Sequence, residues 1–161
     1  MSDTLAFKLD LISQAPDCLR FRLLMRNTTR VKILAPRPAI YGLHFGNLTT
    51  GKPAAWSVKP LESARWVGYF FESGDVKQTE YLVRPTSIAP EAVDEKSEYA
   101  RCSVDLIPGS YLVWIKMQVD QDYFCSDSNY RYPDLVWLAL QEQAVVWTGQ
   151  TMSNRFNIAY P

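Results

Sequence analysis

The chain has 161 residues, with Lys+Arg and Asp+Glu equal at 17 each. That length suits one domain over 1–161, burying roughly 70% of its unfolded surface without needing a disulfide or metal staple. Balanced charge leaves no overall field to gather phosphates or anionic lipid, which sets nucleic acid and membrane surface aside as partners.

In chain order, Leu5, Phe7, Leu9 and Leu11 alternate with Ala6, Lys8, Asp10 and Ile12, the period of a half-buried strand. Gln14-Ala15-Pro16-Asp17 breaks it. Leu19, Phe21, Leu23 and Met25 then alternate with Arg20, Arg22, Leu24 and Arg26, which predicts a neighbouring strand with its arginines outward. Val31 to Leu34 is extended, and Pro36 and Pro38 confine it to an edge or a bend. Ile40-Tyr41-Gly42-Leu43-His44-Phe45 reads as a strand, as do the runs over 66–71 and 81–83.

Pro108-Gly109 has the residue types of a type II turn, because proline presets φ and glycine takes the positive φ that follows. It feeds the strongest alternation in the chain, over 110–119. Residues 120–134 read as a polar and aromatic loop, and 134–143 as a short helix. Phe156, Ile158 and Tyr160 mark the final strand. The five Trp, nine Tyr and seven Phe suit sheet positions, and no run is long and apolar enough to span a bilayer. The expectation is all-β.

Leu106-x-Pro108-Gly109-x-Tyr111 resembles the turn and tyrosine that open the penultimate strand of immunoglobulin-like and fibronectin-type sandwiches. Trp147-Thr148-Gly149 with Ser153-Asn154, and the early strand that runs into Asn27-Thr28, are similar to uncharacterised bacterial immunoglobulin-like modules. The resemblance covers about half the chain. It departs in the spacing of Tyr111 from the glycine and in the length of 120–150. It implies an immunoglobulin-like antiparallel β-sandwich of about seven to nine strands, with the tyrosine hydroxyl bonded back to the corner. Such modules serve adhesion, assembly or inhibition, and the fold implies no reaction. The expected core is Phe7, Leu9, Phe21, Leu23, Leu43, Leu106, Tyr111, Val113, Ile115, Phe156 and Ile158.

No constellation of catalytic residues stands out. His44 is the one histidine and lacks a flanking nucleophile motif. Cys18, Cys102 and Cys125 are widely spaced, which favours reduced thiols over a disulfide framework or a zinc site. Asp120, Asp122, Asp127, Asn129 and Asp134 supply oxygens, but without the glycine and closing glutamate of a calcium loop they read as a solvated segment. Asn27 and Asn47 open glycosylation triplets that read better as turn chemistry. No metal or cofactor is expected. The start of the sequence has no leader pattern, so a cytoplasmic location is expected, or an extracytoplasmic one if a leader has been removed.

The aromatic group Tyr123, Phe124, Tyr130, Tyr132 and Trp137 beside Arg131 has the composition of an interaction hot spot. The bland alternative folds this loop over an open end of the core, with Trp137 as the favoured plug. The functional expectation is a non-catalytic protein-binding or assembly module, acting through that end loop or through a sheet edge by β-augmentation. The alternatives are a small enzyme inhibitor or toxin-immunity protein using the same loop and, behind it, a cysteine-dependent enzyme using Cys125 or His44. The expected partner-contacting residues are Tyr123, Phe124, Tyr130, Arg131 and Tyr132.

Overall fold

A computed structural model describes residues 4–59, 68–90, 97–120 and 133–161, and for 133–136 the backbone alone. Among these residues the chain is mostly β, with strands β1 (Leu5–Ala15), β2 (Cys18–Asn27), β3 (Ile33–Pro36), β4 (Leu43–Asn47), β5 (Trp56–Val58), β6 (Gly68–Phe71), β7 (Val76–Pro85), β8 (Cys102–Val104), β9 (Gly109–Val119), β10 (Val145–Val146), β11 (Gly149–Met152) and β12 (Phe156–Tyr160). Two helices interrupt them, α1 (Glu98–Arg101) and α2 (Pro133–Gln141).

One sheet runs β1-β2-β7-β8-β5, a second β10-β3-β6, and a third joins β4, β11 and β12 to β9. The long alternating strands pair as their patterns require: β1 with β2 from Leu5↔Asn27 to Ala15↔Cys18, with a bulge between Leu11 and Ser13, and β2 with β7 antiparallel. Two pairings correct the expectation of purely antiparallel sheets. β10 lies parallel to β3, and β7 parallel to β8, because the chain returns to these neighbours through long connections rather than hairpins.

The inner faces of the first and third sheets meet through Phe21, which packs edge-on against Phe45 at 5.8 Å between ring centroids and tilted against Phe156 at 6.4 Å. Ten of the expected core residues are buried in this one cluster, and Phe156 is partly buried against it. β3 is buried at all four positions and lies between β10 and β6, so it is not an edge. Pro36 is its last residue, where a missing N–H falls at the end of the ladder. The strand expected from Ile40 instead opens with a 3-10 turn over Ile40–Gly42. A Cβ on Gly42 would stand 2.8 Å from the Lys116 carbonyl oxygen, so only glycine lets the chain pass this close to β9.

The Pro108-Gly109 corner differs from a type II turn. Gly109 sits at φ 155°, against the +80° or so that such a turn needs, and it already pairs with Tyr160 as the first residue of β9. The corner is held by a side chain instead. The buried Tyr111 hydroxyl accepts from Ile107 N at 3.0 Å and donates to Ile107 O at 2.8 Å. Asn27, also fully buried, donates from Nδ2 to the carbonyls of Val31, Phe71 and Glu72 and accepts at Oδ1 from Thr29 N and Oγ1. It joins the end of β2 to the end of β6.

Candidate protein-binding surface

α2 begins with Pro133, whose absent N–H is one no helix start requires. This agrees with a helix over 134–143 to within two residues at each end. The helix unwinds through backbone bonds from Glu142 N to Leu138 O and from Ala144 N to Ala139 O, with Gln143 in the left-handed region at φ 55°. That turn delivers Val145 and Val146 to β3. Lys32 anchors the junction, its Nζ 3.1 Å from Glu142 and 3.4 Å from Glu72.

The helix is apolar on more than one side, and of its described apolar side chains only Ala139 is buried. Ala139 is 1% exposed, whereas Trp137 is 61% and Leu140 71% exposed. Trp137 and Leu140 are three residues apart and so share a face. Leu138 and the neighbouring Val145 are exposed as well. The reading of Trp137 as a plug for the core is therefore corrected: the small Ala139 is buried, and the indole stands outside. An apolar centre with the Lys32, Glu72 and Glu142 charges nearby has the anatomy of an interface core with a polar rim.

Tyr123, Phe124, Tyr130, Arg131 and Tyr132 lie outside the described residues, as do Cys125, Asp122, Asp127 and Asn129. Residues 121–132 lead directly into α2 in the chain, so the described part of this region is the helix. Of the aromatic group singled out in the sequence, only Trp137 has a described side chain, and it is exposed rather than buried.

The sheet edges offer less. The outer edge of β1 is met by side chains from the C-terminal strand: Asn154 accepts from Leu9 N at 2.8 Å and donates to Leu9 O at 3.1 Å, and Thr151 Oγ1 donates to Leu5 O at 2.7 Å. Asn154 sits in a break between β11 and β12 where three residues oppose two of β9, and Ser153 Oγ accepts from Ile115 N there. Further along, Gln14 Nε2 donates to Ala159 O, and the Tyr160 hydroxyl donates to Pro16 O. The outer edge of β4 is occupied in a similar way, by Ala54 N on Phe45 O and the Trp56 indole on Leu43 O.

His44 stacks on Trp114 with ring centroids 5.1 Å apart, and the Arg155 guanidinium lies 4.7 Å from the same indole. Burial lowers the affinity of His44 for a proton, and the Lys116 charge adds to that. Burial pushes the Cys18 thiol up, with Asp17 adding to the shift, and burial likewise raises that of Cys102. Both are free thiols held in the protonated form, the opposite of an activated nucleophile. Among the described residues, no cluster of histidine, cysteine and carboxylate groups could hold a metal ion, and no helix is long and apolar enough to cross a membrane. Asn27 and Asn47 act as turn builders, the latter accepting at Oδ1 from Thr49 N and Thr50 N. Compared with known proteins, the chain matches no family model, no curated protein and no solved structure.

Proposed function

We propose that this chain is a non-catalytic binding module with an immunoglobulin-like sandwich fold, and that it engages a protein partner through the apolar face of α2 and its approach loop. The fold reading is supported by the Tyr111 hydroxyl bonded back to Ile107 at the head of β9, and by two sheets meeting face to face through Phe21 and Phe45. The functional reading rests on one observation: a tryptophan and a leucine stand largely in water on a single helix face while an alanine takes the inward place. Large rigid rings of this kind supply most of the binding energy where proteins meet.

A double substitution Trp137→Ser/Leu140→Ser tests the proposal, because it removes the apolar face and leaves the core intact. In affinity capture from the source cells, the wild-type chain retains a stoichiometric partner and the variant loses it, with the thermal midpoints of both chains close together. Equal recovery with both chains excludes α2 as the contact. Sedimentation of the purified chain covers a second copy as occupant: a dimer that the variant dissolves makes self-association the function of this face.

A further inference from the structure

Away from α2, the outer face of β1, β2 and β7 forms a grid whose rows are fixed by strand register. Arg20 stands beside Leu82; Arg22 lies between Asp10 and Glu80; Leu24 lies between Lys8 and Gln78; Arg26 lies between Ala6 and Val76. Lys8, Arg20, Arg22 and Arg26 thus face two carboxylates, a surplus of two positive charges on one face of a chain whose net charge is zero. None of the four is in an ion pair with a described residue, those pairs being Lys32 with Glu72 and Glu142, and Arg37 with Glu98. Arg22 Nε is buried and has no hydrogen-bond partner. Between the charges, Ile12, Val76 and Leu82 are exposed and Leu24 is half-buried.

We propose that this face docks an acidic amphipathic helix of a protein partner, at a surface separate from α2. The aliphatic groups between the cations give such a helix an apolar floor. The cations give it a charge register. From Arg20 to Arg26 the strand advances about 20 Å, the length of a helix of about 14 residues. Lys8 stands level with Leu24 and fills the gap between Arg22 and Arg26, so each row of the grid from Arg20 to Arg26 presents one cation. Nucleic acid fits less well. The grid's residues include no aromatic ring on which a base could stack.

The test is an amide and arginine-side-chain NMR titration of the full chain with a synthetic helical peptide of about four turns, leucines on one face and glutamates beside them. The expected result is a shift of the Arg22 Nε–H signal together with Arg20, Leu24, Arg26 and Leu82. Charge reversal in Arg20→Glu/Arg26→Glu weakens binding at least about tenfold, and neutral Arg20→Gln/Arg26→Gln weakens it less. Both sites are exposed, so both variants keep the wild-type amide spectrum elsewhere. A lysine-for-glutamate peptide does not bind, and Trp137→Ser/Leu140→Ser leaves the affinity unchanged. The proposal is overturned if the β2 signals stay still, if charge reversal leaves the affinity as it was, or if a single-stranded oligonucleotide binds these residues more tightly than the peptide.

Discussion

The seam between β1 and the C-terminal strand and the face of α2 treat exposed bonding capacity in opposite ways. At the seam, Asn154, Thr151, Gln14 and Tyr160 place side-chain groups on backbone atoms of the other strand. At α2, Trp137 and Leu140 stand in water. A strand edge left open invites another chain to add to it, and here Leu5 O and both backbone groups of Leu9 are taken. The contrast sets a strand edge met by polar side chains against a helix whose described face exposes apolar ones, so the two regions separate bonding that holds the fold from surface that does not.

The comparison breaks first in the core and at the buried polar joints. Phe21→Ala removes the ring that joins the two inner faces and is expected to cost about 3–5 kcal/mol in chemical denaturation. Asn27→Ala removes a side-chain donor from three carbonyls and the acceptor from Thr29 N, and is expected to cost about 2–4 kcal/mol, read the same way. Tyr111→Phe keeps the ring but frees Ile107 N and O, for a loss of about 1–2 kcal/mol. Asn154→Ala opens the seam at Leu9 where water can enter, and about 1 kcal/mol is expected. Trp137→Ser/Leu140→Ser, by contrast, is expected to stay within about 0.5 kcal/mol of the wild type. A large loss there would make α2 part of the fold and erase the distinction.

The smallest effect is one of pH. His44 binds a proton less readily in the folded chain than in the unfolded one, because burial against Trp114 and the Lys116 charge oppose protonation. Its contribution to stability is therefore present above the ordinary histidine range and is lost as the pH falls through it. His44→Phe keeps a ring on the indole and abolishes the titration. The difference in melting temperature between wild type and variant is expected to shift against the wild type between about pH 7.5 and 5.

Much of the fold was legible wherever a strand is long enough to show its period. β1, β2, β9 and β12 announce themselves by alternation, and Phe21, Leu23, Val113 and Ile115 follow from it. β5, β8, β10 and β11 have two to four residues each, too few for a period, and they pair with partners far along the chain. The Tyr111 bond back to the corner was implied by resemblance, while the turn at Pro108-Gly109 was not, because turn residues show which angles are accessible and not which are used. The helix was legible as a helix. Its orientation was not, since Leu-Val-Trp-Leu-Ala-Leu is apolar all round and reads as buried from every side.

The most direct test is hydroxyl-radical footprinting of Trp137 and Leu140 in the free chain and in the complex captured from the source cells. The account predicts strong oxidation of both in the free chain and protection of both in the complex, with Met152, exposed elsewhere, unchanged. Equal oxidation of Trp137 in both states, with protection appearing only along β1 or β4, would contradict it and return recognition to the sheet edges.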